Sequence, residues 1–233
     1  MIEKGKKILR APYLKAGDKV ALVSPAYWVP EEAIIQAANV LRSWGLQPVI
    51  GPHTISLNVD AFSGTADERA ADLLWALEDD TIKAIFCSRG GYGSMHLLNR
   101  IPLEIFRQHP KWLIGHGDIT MLLYAVATTG TLCIHGPMGF QIASQQEPTS
   151  TITRNLLMGI LPHYMIPCNP YNRFGHADAV EIGQPNYSKT INLILNVPSS
   201  DFLNNYNNCS NSGQFTVNSL ILPFIKVCIV CLT

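Results

Sequence analysis

The sequence predicts an α/β fold built on a parallel sheet, and three observations predict it. Short β-branched runs alternate with helical periodicity from residue 18 to about 140. The helical segments carry their own start and stop signals. Three of the β runs end in small residues, as strands do where a parallel sheet opens into ligand-binding loops.

The first run is "KVALVSPA" from Lys19. The segment "PEEAIIQAANVLRSWG" follows, with Pro30 near its start, Glu31 and Glu32 in the first turn and Gly45 just past its end. Ile34, Ala37, Ala38 and Leu41 fall on one face of that helix, which packs on the sheet. After the second run, "LQPVIGP", the stretch "TADE" predicts a capping box between Thr65 and Glu68. Ala70, Leu73, Leu74 and Leu77 form the buried stripe of the helix it opens. The third run, "IKAIFCSRG", leads into "GSMHLLNRIPLEIFRQHP", a helical region broken near Pro102 because proline disfavours helical backbone in the residue before it. The fourth run, "KWLIGHG", turns into the helix "DITMLLYAVATTG", and the fifth run, "TLCIHGP", follows.

The texture changes near residue 145, where "SQQEPTSTITRN" reads as an exposed polar connection. The expected organisation is therefore an α/β domain over 1–145, a linker over 146–165 and a C-terminal segment over 166–233, incomplete and mainly β. After about Gln184 charged residues almost vanish and asparagine becomes common, a change that reads as an altered reading frame. The closing "SLILPFIKVCIVCLT" is shorter than the roughly 20 apolar residues needed to span a bilayer and contains Lys226.

With 17 basic and 17 acidic residues in 233, no whole-molecule field recruits nucleic acid or an anionic membrane. The N-terminus is basic but lacks the apolar core of a signal peptide, so a cytoplasmic location is expected. The six cysteines form no compact framework, and the "CIVC" pair at Cys228 and Cys231 is a weak metal signal without a second pair; no metal and no cofactor are expected.

Three strand ends should neighbour one another: "SPA" at 24–26, "SRGGYGS" at 88–94 and "GHGD" at 115–118. Gly90, Gly91 and Gly93 beside Arg89 suit a loop whose amides approach an anion closely, although the bland reading is a turn needing positive φ. The loop has neither the dinucleotide nor the P-loop spacing. In "IGHGDIT" a strand turns sharply into a helix, the geometry that carries a nucleophile in α/β hydrolases, yet the apex here is Gly117. Asp118 reads equally as an N-cap of the following helix or as a functional residue. His116 and His135 lie at strand ends without a carboxylate near in sequence and are read as packed and satisfied. Cys87 reads as a small core residue, and the acidic run 78–80 as solvated.

Taken together, "LKAGDKVALVSPA", "FSGTADERAADLLWAL", "IKAIFCSRGGYGS", "HPKWLIGHGDITMLLYA" and "HGPM" resemble the N-terminal domain of the LD-carboxypeptidases, over roughly residues 10–140. A faint echo continues through "GHADAVEIG" at 175–183. The resemblance implies a flavodoxin-like sheet and a cytoplasmic serine peptidase that removes the terminal D-alanine of murein tetrapeptides in peptidoglycan recycling. It places the family nucleophile at Gly117, the family's aromatic residue at His116, and the oxyanion amides at Asp118, Gly90 and Gly91. It makes Arg89, Tyr92 and His116 substrate contacts. The family's catalytic Glu and His lie in its C-terminal domain, and here no Glu follows Glu181 and no His follows His176. The implied partner is a peptidoglycan-derived peptide or peptidyl small molecule, without nucleic acid or membrane; a homodimer is left open. The expected outcome is a family member without activity, with a non-catalytic muropeptide- or peptide-binding protein as the alternative.

Overall fold

A computed structural model of the chain describes residues 9–56, 60–144, 149–160, 163–168, 189–194 and 229–231. The expected strands form where the β-branched runs lie: β1 (Lys19–Val23), β2 (Gln47–Ile50), β3 (Ile82–Cys87), β4 (Trp112–Gly115) and β5 (Cys133–His135). Between them run α1 (Glu31–Ser43), α2 (Ala66–Glu78), the short α3 (Ile105–Gln108), α4 (Thr120–Thr128), and then α5 (Gly139–Ala143) and α6 (Thr149–Leu157). Beyond α6 the described elements are β6 (His163–Cys168), β7 (Lys189–Ile194) and β8 (Ile229–Cys231).

The strand order is β2-β1-β3-β4-β5-β8, and every pair in that sheet is parallel. Its first five strands follow the flavodoxin-like order, in which the crevice for a ligand opens at the carboxyl ends beside β1 and β3. The chain divides into two compact units after Ile160, with β8 returning to the first. In the second, β6 and β7 pair antiparallel, His163 opposite Ile194; the rest of the expected C-terminal segment, including Cys228, Glu181 and His176, lies outside the described residues.

Helices cover both faces of the parallel sheet. On one face Ile34, Ala37, Ala38 and Leu41 of α1 are buried, Trp44 meets the edge of Phe86 and Gly139 of α5 packs beside Leu22. On the other, Leu73 and Leu77 of α2 and Leu122, Leu123 and Val126 of α4 join Ala21, Val23, Ile85 and Cys87 in one apolar cluster. Full burial of each such Leu, Ile or Val is worth about 1.5–3 kcal/mol. Leu74 of the expected stripe is only half-buried, and Ala76 takes its place in the core.

The local signals are realised as chemistry. Thr65 Oγ1 accepts from the Glu68 amide at 3.2 Å while Glu68 Oε2 accepts from the Thr65 amide at 2.7 Å, closing the capping box on α2. Those hydrogen bonds hold the Glu68 carboxyl below its ordinary range. Gly45 terminates α1 at φ +82°, a backbone that favours glycine. Around Pro102 the helical region breaks into a 3₁₀ turn over Ser94–Leu97 and the four residues of α3. One expectation is corrected: part of the polar stretch read as an exposed connection is α6, with Ile152, Leu156 and Leu157 buried and Leu157 O accepting from the Leu14 amide at 2.8 Å. Ile152 and Leu156, one helical turn apart, supply an inward stripe that the surrounding Ser, Thr and Asn hide in the composition.

Candidate active site

The three strand ends converge as expected. The Tyr27 amide, after β1, donates to Gly90 O at 3.4 Å, and Gly91 lies at φ +104° so close to the Tyr27 ring that a Cβ there would run into it. Gly90 in turn approaches the turn after β4. A Cβ on it would sit 3.2 Å from His116 O and 3.3 Å from the Asp118 nitrogen. The close backbone approach therefore favours glycine at 90, and both space and φ call for it at 91.

At the turn itself, β4 ends on Gly115, which packs directly under Ile119. His116 is extended, Gly117 reverses the chain at φ +60°, and a 3₁₀ turn over Gly117–Ile119 runs straight into α4. The strand-to-helix elbow read from "IGHGDIT" is present. Gly117 is exposed, and a Cβ on it would meet nothing within 4 Å, so the apex is open towards solvent. Among the described residues no acceptor takes the amides of Gly90, Gly91 or Asp118. The glycine loop thus meets the elbow at Gly90, beside the Asp118 nitrogen and the open apex at Gly117.

Asp118 resolves an alternative. Its carboxylate does not cap its own helix: Oδ2 accepts from the Ser94 amide at 2.8 Å, and Ser94 Oγ donates to Asp118 O at 2.7 Å. The side chain caps a turn 24 residues away in sequence and binds the glycine loop to the elbow.

Of the two histidines read as packed and satisfied, one fits that reading and one does not. Gln141 on α5 accepts from the Met138 amide through Oε1 at 3.0 Å, so its Nε2 donates to His116 Nε2 at 2.7 Å and makes that nitrogen an acceptor. His116 is therefore satisfied, and burial lowers its pKa. His135, whose ring centroid lies 5.9 Å from that of His116, is not: its Nδ1 is buried without a partner among the described residues. Burial, reinforced by His116, pushes its pKa down to about 4. Its position at the end of β5 is legible in "CIHGP", but the loss of its partner depends on tertiary packing.

The profile of the LD-carboxypeptidase N-terminal domain matches residues 20–136. The chain belongs to the LD-carboxypeptidase family. Over 121 residues it is 32% identical to a murein tetrapeptide carboxypeptidase of Pseudomonas aeruginosa, covering 52% of this chain and 39% of that protein. Over 137 residues it is 39% identical to a Streptomyces coelicolor protein classed as a carboxypeptidase, covering 57% of this chain and 44% of the relative. Among solved structures, the protein MccF in complex with glutamyl sulfamoyl guanosine superposes with a TM-score of 0.60 at 25% identity, covering 68% of this chain and 50% of that one. The chain spans about half the length of the curated relatives it matches.

In this LD-carboxypeptidase domain the remaining candidates from the sequence sit at the rim. Arg89 is exposed, its Nη1 3.4 Å from Trp28 O and its guanidinium 6.0 Å from the centre of the Tyr27 ring. Tyr92 is exposed too, edge-on to His96 and tilted against Phe62. Two participants escape sequence reasoning: Gln141, which orients His116, and Arg69, buried on α2 beneath the glycine loop. Cys87 is buried, which drives its thiol pKa up and leaves it unreactive, as a core cysteine should be. Among the described residues no helix is long and apolar enough to cross a membrane, and no group of three His, Cys, Asp or Glu could hold a metal ion.

The His135 environment carries a pH prediction. Unfolded, the imidazole takes up a proton near its ordinary pKa of 6.5; folded, it does so only near 4. Between those values the unfolded state binds more protons, so stability is fully present above about pH 6.5 and falls as the pH drops towards 4. Urea midpoints measured from pH 7 to pH 4.5 should fall, and His135→Phe should make that fall shallower. An unchanged slope in the variant would remove His135 as its source.

Proposed function

We propose that this chain is an LD-carboxypeptidase-type site for a peptidoglycan-derived peptide, working in the cytoplasm, in which the attacking atom is absent. Supporting the reading most directly is the approach of Gly90 to His116 O and the Asp118 nitrogen, which brings the glycine loop, its amides uncommitted, against an apex that has no side chain. In the proposed complex the carbonyl before the terminal D-alanine lies against the amides of Gly90, Gly91 and Asp118. Arg89, Tyr92 and His116 line the approach, with Arg89 the cation for the peptide's carboxylate. The complex of MccF with glutamyl sulfamoyl guanosine supports a ligand of aminoacyl type in this fold.

Gly117 stands where the family's serine stands, so the cradle has nothing to deliver to the carbonyl it polarises. Oxyanion donors and binding alone leave roughly 10³–10⁴-fold catalysis over water in serine proteases stripped of their triad. That remainder is far too little to turn over peptide bonds at a useful rate. Calorimetric titration with murein tetrapeptide should give saturable heat, with the tetrapeptide recovered intact afterwards. Absence of any saturable heat would count against the binding site.

A further inference from the structure

We propose that Arg69 is the positioning residue of this site: with Asp118 it grips the two ends of one peptide unit, Gly93–Ser94, and so holds the glycine loop against the elbow. The proposal rests on the reading of that loop and elbow as the ligand cradle.

The geometry is specific. Arg69 Nη1 donates to Gly93 O at 2.9 Å, and the next amide, that of Ser94, donates to Asp118 Oδ2 at 2.8 Å. Carbonyl and N–H of the same peptide bond are therefore held from opposite sides by a cation and an anion. Each grip is a charge-assisted hydrogen bond, the stronger class. Because the peptide is planar, fixing both ends fixes its orientation. Gly93 sits at φ +111°, a region where glycine has broad freedom, so this is where the loop most needs restraint.

Arg69 also joins a third strand end. The same Nη1 donates to Pro25 O at 2.7 Å, in the loop after β1, and the guanidinium lies 4.8 Å from the centre of the Phe62 ring. One side chain from α2 thus spans the loops after β1 and β3 and, through a peptide, the loop after β4. A planar fork can do this where a single ammonium point charge holds one geometry poorly.

The burial of Arg69 is costly and calls for an explanation. The residue is 3% exposed, makes no ion pair with a carboxylate among the described residues, and leaves Nε without a partner there. A buried charge is ordinarily paired. Burial lowers the Arg69 pKa, and Asp118 counters that through space, consistent with an ion pair separated by the peptide it grips. An apolar residue on α2 would suit the core better and would leave the glycine loop unheld.

Amide hydrogen exchange followed by NMR tests the proposal on the whole chain with Arg69→Met, which retains length and apolar volume, and Arg69→Lys, which retains charge. Ser94 amide exchange should accelerate at least tenfold in Arg69→Met and less in Arg69→Lys, while the amides of Ala84, Ile85 and Phe86 in β3 keep their native rates. Tetrapeptide affinity should fall at least tenfold in Arg69→Met. Native Ser94 protection in Arg69→Met would overturn the proposal. So would equal acceleration of the β3 amides in both variants, which would make Arg69 a strut for the whole fold. If the unmodified chain binds no tetrapeptide, the functional reading fails, and Ser94 exchange still decides whether Arg69 holds the loop.

Discussion

Gly117→Ser should fold, lose about 1–3 kcal/mol of stability and still release no D-alanine from murein tetrapeptide above the level of the unmodified chain. The fold survives because a Cβ at 117 meets nothing within 4 Å. The loss arises because φ is +60° there, a conformation that side-chain-bearing residues adopt only under strain. Losing a serine nucleophile costs about 10⁶-fold in kcat where it has been measured in a serine protease. Restoring only the hydroxyl leaves it without a prepared base, because a serine needs a neighbour to take its proton and an acid to orient that neighbour. Of the described histidines at the elbow, His116 is held by the Gln141 amide and His135 has a depressed pKa and no partner on Nδ1. Neither is oriented by a carboxylate among the described residues. Urea unfolding measures the first effect and chromatographic detection of D-alanine the second. Strong release by Gly117→Ser would mean that the chain supplies a competent base.

Trp112→Ala should cost about 3–5 kcal/mol, a large share of the 5–15 kcal/mol typical of a folded domain. Trp112 opens β4, the strand that delivers the elbow, and it is fully buried with Ala84 as its register partner on β3. Truncation leaves a cavity that a sheet sandwiched between helices cannot collapse to fill. It also removes the indole N–H that donates to Pro12 O at 2.8 Å, tying the segment before β1 to the sheet. Trp112→Phe retains much of the ring and should lose less, mainly the hydrogen bond at about 1 kcal/mol. Circular dichroism in urea separates the two variants. Equal midpoints for Trp112→Ala and the unmodified chain would remove Trp112 as an anchor of β4.

Much of the fold is legible in the chain because its signals are local. The capping box at Thr65 and Glu68, the acidic first turn after Pro30 and the glycine stop at Gly45 each act within a few residues and appear where the pattern places them. The elbow is legible for the same reason, since a strand, a glycine and a helix start are adjacent in "IGHGDIT". What escapes depends on distance in sequence. Arg69 follows two acidic residues on a helix with no local signal of its role, and its partners lie at Pro25 and Gly93. Asp118 reads equally as a cap for its own helix or as a functional residue, because Ser94, whose amide it takes, is remote. Composition misleads at α6, where polar neighbours mask Ile152 and Leu156.

The central proposal is that this LD-carboxypeptidase domain keeps the oxyanion cradle and lacks the atom that attacks. Prolonged incubation of the unmodified chain with murein tetrapeptide, followed by quantification of free D-alanine, tests it most directly. The account predicts release indistinguishable from a protein-free blank at every chain concentration. Release that grows in proportion to the chain, with more than one D-alanine per molecule, would contradict it.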